Sequence, residues 1–350
     1  MKQRKTGIEL LRIFAMLLIV MHHYAQIGCE ALMETNVVSG EKIYMQFFFL
    51  GGKLGQNLFI LITGYFLCMS QRRWGKVLSL VVQVTTYSVL SMLIVAYCFG
   101  GSLNILTIVR HCFPLVFLIY PFATYYVLLY IFSPYLNAMI EGMGQKKHKE
   151  LLLIGAVVWI VIPTLTSENV GMSDLIWYVY LYLVSAYIRK YPIEKEGWNR
   201  SGKWILLGIG MYGLTFLSVI VFDFIGLKIP AVGMKATYFV SQNKIPIFMT
   251  SVFLFMGFIR LELKANKLIC KIASGTFGVF LIHMAPLLIP YLWNRVLKVP
   301  KYVGTNQIYI HALISVLMIF TVGVIVELIR QWVMSIIHKG IAMVATKKQE

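Results

Sequence analysis

The sequence predicts an all-α, polytopic membrane helix bundle, and three observations carry that prediction. Hydrophobic residues make up 59% of the 350-residue chain and charged ones only 13%, whereas soluble domains run at about 45–50% apolar and about 25% charged. The mean hydropathy is +0.76. Apolar runs of membrane-spanning length recur from end to end, which fits an integral membrane protein rather than a globule with one anchor. A soluble globule of this balance would lack the polar surface to cover itself. Collagen, disorder, coiled coils and disulfide-rich scaffolds are excluded on the same grounds.

Apolar runs of about 20 residues give about ten predicted spans. The first, Gly7 to Gly28, has a basic start that suggests a signal peptide. It is too long for one, lacks a small-residue cleavage pattern and carries Arg12, His22 and His23, so it reads as a retained helix. Gly52 to Ser70 opens on glycines that favour close helix approach. Val77 to Phe99 follows the basic turn Gln71–Lys76, and Phe122 to Ile140 follows a stretch, Asn104 to Tyr120, suited to a re-entrant or interfacial segment. Leu151 to Thr166, Asp174 to Arg189 and Ile245 to Arg260 are short; Trp204 to Phe224, Thr276 to Leu297 and Ile308 to Trp332 are full length. With loops too short to fold alone, residues 1–340 form one membrane domain and 341–350 a cytoplasmic tail.

The charge balance supports an orientation. There are 32 Lys and Arg against 14 Asp and Glu, a formal +18. In a soluble chain this would suggest nucleic acid, but basic residues also collect in cytoplasmic loops. Placing both termini in the cytoplasm puts roughly 22 of the basic residues inside, roughly 9 outside and Arg12 in the membrane. Topology then accounts for most of the charge, and no nucleic-acid partner is needed. The five cysteines form no CxxC pair and mostly lie in or beside apolar runs, where they act as small hydrophobes.

Ionisable groups within a bilayer are costly and are functional candidates by default. Arg12 and His23 lie eleven positions apart, about 20° beyond three helical turns, so they share a face roughly 16 Å apart along the axis. His22 is turned about 100° away. An Arg holding an anion with an imidazole above it as general base is one reading. A snorkelling Arg and a packed interfacial His is the other. In Gly51–Leu67, Asn57 and Thr63 suit hydrogen bonding across a helix interface. Arg72, Arg73 and Lys76 serve as a positive-inside anchor or as a phosphate site. The Tyr-rich stretch containing Tyr125 and Tyr126 suits an interfacial belt, and His283 reads as a hydrogen-bonded group within a span. No HExxH, CxxC or paired-carboxylate pattern supports a metal or glycosidase site.

Taken in order, these segments resemble the membrane-bound acyltransferase 3 family, which includes bacterial O-acetyltransferases of surface glycans. Arg12 to His23 looks like the family's Arg-x10-His motif, and Phe59 to Tyr65 like its Phe-x-x-x-Ser-Gly-Tyr/Phe segment, with Thr63 in place of Ser. Phe113-Pro114, the aromatic start of the fourth span, Ser133-Pro134-Tyr135-Leu136-Asn137 and Gly278-Val279-Phe280-Leu281-Ile282-His283 also match. Pro121 stands where many members have Trp, and the basic turn reads Arg73-x-x-Lys76 rather than Arg-x-x-Arg. Some members carry an esterase-like domain after the membrane part, and none is expected here.

The resemblance implies an O-acyltransferase that uses acetyl-CoA as cosubstrate, with no permanently bound cofactor, and acts on a glycan acceptor that is lipid-linked or free. It implies His23 as catalytic base, Arg12, Arg72, Arg73 and Lys76 as the donor's phosphate site, and Asn57, Tyr65, Tyr126 and His283 as substrate-binding residues. A covalent acyl-histidine is the alternative chemistry. Glu327 pairs with Arg12 or, as a structural contact, with Arg330. The competing reading of the whole chain is a transporter or flippase of a lipid-linked sugar or small solute.

Overall fold

The computed structural model describes residues 5–101, 103–193 and 200–347. Every regular element among them is helical. In order they are α1 (Thr6–His23), continued by a π-helical turn Tyr24–Gly28, α2 (Glu30–Met33), α3 (Gly40–Phe49), α4 (Gly51–Leu67), α5 (Trp74–Phe99), α6 (Ile105–Cys112), α7 (Pro121–Ala156), α8 (Ile162–Thr166) and α9 (Asp174–Lys190). There follow α10 (Ser201–Gly226), α11 (Pro230–Gly233), α12 (Ile245–Ile259), α13 (Lys267–His283), α14 (Ile289–Tyr291) and α15 (Ile308–Lys347). Lys2, Arg4 and Lys195, expected on the basic side, and residues 348–350 of the expected tail lie outside the described residues.

Seven helical stretches among the described residues are long and apolar enough to cross a membrane, and the chain is a multi-pass membrane protein. One of them, Pro121–Thr166, covers two of the predicted spans. Its helix breaks at Gly144 (φ 66°, ψ 177°), a left-handed backbone that glycine adopts without strain. α9 and α13, at 17 residues each, are long enough for about 26 Å of rise.

Local chemistry explains the element boundaries. Ser39, Asn104, Ser173 and Asn266 cap α3, α6, α9 and α13 by accepting from backbone N–H groups three residues on. Gly100 (φ 69°) closes α5 in the left-handed region. Two predicted spans shift. The second begins at Gly40 rather than Gly52, because α3 runs almost straight into α4 and the polar Glu41, Lys42 and Gln46 had masked it. The ninth ends at His283 rather than Leu297, because Pro286 disfavours helical backbone in the residue before it. Asn104 to Tyr120 forms the short amphipathic α6 and a run of turns.

α1 is the central helix, packed against α4, α12, α13 and α15. Leu206, Ile209, Leu214 and Leu217 on α10 and Leu313, Leu317, Ile325 and Ile329 on α15 are exposed, the apolar surface that lipid requires. Glycines set the α1–α4 distance. A Cβ at Gly51 would lie 2.8 Å from the Leu18 carbonyl oxygen, and one at Gly55 2.5 Å from that of Ala15. At Gly52 it would collide with the His22 ring. Gly55→Leu should therefore destabilise the protein by about 1–3 kcal/mol, the usual cost of overpacking. Its unfolding midpoint in detergent, compared with wild type and with an exposed Gly202→Leu control, checks this.

Candidate active site

α1 is an unbroken α-helix from Thr6 to His23, so the angular relation between Arg12 and His23 read from the sequence holds in the fold. The π-helical turn begins only after His23. At this end α1 meets the last residue of α13. His283 Nδ1 lies 2.6 Å from the Val279 carbonyl oxygen, and since a carbonyl only accepts, that nitrogen carries the proton. His283 Nε2 is then the acceptor for His23 Nδ1–H at 3.1 Å. The network thus assigns the tautomer and leaves His23 Nε2 with its lone pair, as a general base requires. His22 points elsewhere: its Nδ1–H donates to the Phe49 carbonyl at 2.5 Å and its ring packs on Phe49 and Gly52.

Toward the other end of α1 lies a cavity of about 510 Å³. Four cations line it, Lys5, Arg12, Lys76 and Arg189, against the single carboxylate of Glu9. Arg12 Nε stands 3.6 Å from Glu9 Oε2, beyond hydrogen-bond range, and its guanidinium lies 5.9 Å from the centre of the Phe59 ring. Arg189 Nη1 donates to the Tyr65 hydroxyl at 2.5 Å, with the guanidinium over the Tyr65 ring. Lys76 sits over Tyr130. Tyr126 also lines the cavity, its hydroxyl 3.4 Å from Thr63 Oγ1. A concave site with this charge excess is suited to polyphosphate, and its arginines to charge-assisted hydrogen bonds.

The structure thus brings Arg12, Lys76, Tyr65 and Tyr126 together and sets the other candidates apart. Arg72 and Arg73 do not line the cavity, which corrects their expected place beside Arg12. Arg72 stacks on Trp74 at 4.2 Å and donates to the Ile131 carbonyl, while Arg73 projects, exposed, from the start of α5. Asn57 is fully buried and committed to the protein: it donates to the Gln242 carbonyl and Ser251 Oγ and accepts from Trp177 Nε1. It is a strut joining α4 to α9 and α12, not a substrate ligand. Glu327 pairs with Arg330 at 2.7 Å and accepts from Tyr87 and Gln331. It makes no pair with Arg12.

Arg12 and His23 share a face of α1 but not this cavity. Neither His23 nor His283 lines the basic cavity. A chain of ring contacts connects the two sites instead: Phe59 with Phe122, Phe122 with Phe280, and Phe280 with His283. Sequence reasoning missed Arg189 and Lys5 as cavity residues. Arg189 lies in the basic last turn of α9, a signal that positive-inside topology explained equally well.

The bundle and its sites define a polytopic membrane protein in which one helix ends at a hydrogen-bonded imidazole pair, His283 buried and His23 partly exposed, and lines a basic cavity toward its start. The family described as acyltransferase domain, acyltransferase 3, matches residues 5–329, and the chain belongs to that family. It is a membrane acyltransferase, which decides against the transporter reading. No curated protein and no solved structure matches it.

Proposed function

We propose that this acyltransferase moves an acetyl or other short acyl group from acyl-CoA to a hydroxyl of a cell-envelope or exported glycan. It does so in a bacterial plasma membrane, with both termini in the cytoplasm. The observation that carries this reading is the single helix α1, which presents Arg12 to a basic cavity and ends in a histidine whose tautomer leaves Nε2 as acceptor. The excess of basic residues on the α1-start side supports the orientation. The donor's phosphates would then meet Lys5, Arg12, Lys76 and Arg189 from the cytoplasm.

In the proposed step His23 Nε2 takes the proton of the acceptor hydroxyl as its oxygen attacks the thioester carbonyl carbon. A C–O bond forms, and collapse of the tetrahedral species breaks the C–S bond. The departing sulfur takes the proton from His23, so the products are the O-acyl ester and CoA thiol. The acyl arm would run from the cavity to His23 beside Phe59, Phe122 and Phe280, whose ring contacts lead from Arg12 to His283. Preorganised His283 spares His23 any reorientation at that moment.

The test is ester formation by the purified protein in nanodiscs, given acetyl-CoA and de-O-acylated exopolysaccharide from the source strain. Ester must also disappear from the surface glycan of a deletion strain. No ester in either assay overturns the reading. Arg12→Gln and Arg189→Gln should each raise KM for acetyl-CoA by roughly ten- to a hundred-fold, the weight of a charge-assisted hydrogen bond. The acceptor KM should hold; an unchanged donor KM in both would remove the phosphate site from the cavity.

A further inference from the structure

α3 and α4 form one stretch, Gly40–Leu67. Leu67 lines the basic cavity, so the Gly40 end lies about 40 Å away along the helix, at the opposite face. There a second cavity, of about 480 Å³, is walled by α3, the end of α10 and the 230–237 turn. Its polar lining includes Glu34, Asn36, Lys42, Gln46, Asp223 and Thr237. Lys42 Nζ donates to Asp223 Oδ1 at 3.1 Å and to the Thr35 carbonyl at 2.7 Å, and Gln46 Nε2 donates to Asp223 Oδ2 at 2.5 Å.

Lys42, Gln46 and Asp223 are each at least nine-tenths buried. Gln46 Oε1 is buried and has no partner, an arrangement native interiors seldom tolerate. A buried ion pair is seldom more stabilising than apolar residues of the same volume, so stability alone does not explain its place on a cavity wall. Lys42 has three N–H donors and spends two. The wall therefore offers a spare donor, a spare amide acceptor and carboxylate lone pairs. Its charges, Lys42 against Asp223 and Glu34, leave no positive excess, which disfavours phosphate and carboxylate ligands. Interspersed donors and acceptors without cationic excess suit a neutral polyhydroxyl ring.

We propose that this cavity is the acceptor site, where a sugar hydroxyl donates to Gln46 Oε1 and others bridge Lys42 and Asp223. The proposal rests on the glycan O-acylation proposed above. Among the described residues no histidine lines the cavity, but a short run of contacts joins its wall to the histidines. Gln46 precedes Phe49 by one helical turn, the Phe49 carbonyl accepts from His22, and the His22 ring lies edge-on to His23 at 5.2 Å.

The test uses the full chain in nanodiscs with acetyl-CoA and de-O-acylated exopolysaccharide of the source strain. Gln46→Leu removes the acceptor oxygen, and Met234→Trp narrows the cavity from a position that is 82% exposed, where folding is not at stake. Both should raise the KM for polysaccharide by about tenfold or more while the KM for acetyl-CoA stays within about twofold, as expected when a polar substrate contact is lost. Wild-type transfer with an unchanged polysaccharide KM in both variants overturns the site and leaves glycan acylation standing. Absence of transfer by wild type overturns both.

Discussion

His23→Ala should lower the rate of acyl transfer by about 10²–10⁴-fold, the range for loss of a general base. Acetyl-CoA binding should survive, because its proposed contacts lie in the basic cavity, which His23 does not line. Single-turnover formation of labelled ester, measured beside CoA-induced thermal stabilisation, separates the two. Undiminished turnover in His23→Ala would remove this residue from the chemistry. His283 acts one step back, as a positioning residue: it accepts from His23 and is itself fixed by the Val279 carbonyl. His283→Leu should therefore lower kcat with little change in either KM, and His283→Gln, which still offers an acceptor and a donor, should recover part of the rate.

The relation between Arg12 and His23 was legible because it depends only on the α-helical repeat, and α1 keeps that repeat up to His23. What surrounds the helix was not legible. A single helix gives the bearing of its side chains but not what packs beside them, and here a run of ring contacts through Phe59, Phe122 and Phe280 leads from Arg12 to His283. Arg189 meets Tyr65 across 124 positions, and Lys42 meets Asp223 across 181. No local pattern encodes such separations. Asn57 shows the converse error. Its polarity within an apolar run was visible, but its partners Trp177, Gln242 and Ser251 come from segments distant in sequence, so a strut resembled a ligand.

Lys42→Met should cost about 3–5 kcal/mol of stability, because it leaves the Asp223 carboxylate charged, buried and without its cation. Gln46 alone would remain to it, and one hydrogen bond to a charged carboxylate offsets only about 1.5–3 kcal/mol of the cost of burying it. The double variant Lys42→Met/Asp223→Leu removes both charges and should recover most of the stability, since an apolar pair of similar volume is often as good or better. Unfolding midpoints in detergent for the two variants and wild type measure this, and a single variant as stable as the double would show that the pair is not desolvated. Activity separates stability from use. If Lys42 and Asp223 only hold α3 against α10, the recovered double variant transfers acyl groups normally. If they bind the acceptor, it is stable and still needs far more polysaccharide to reach half its maximal rate.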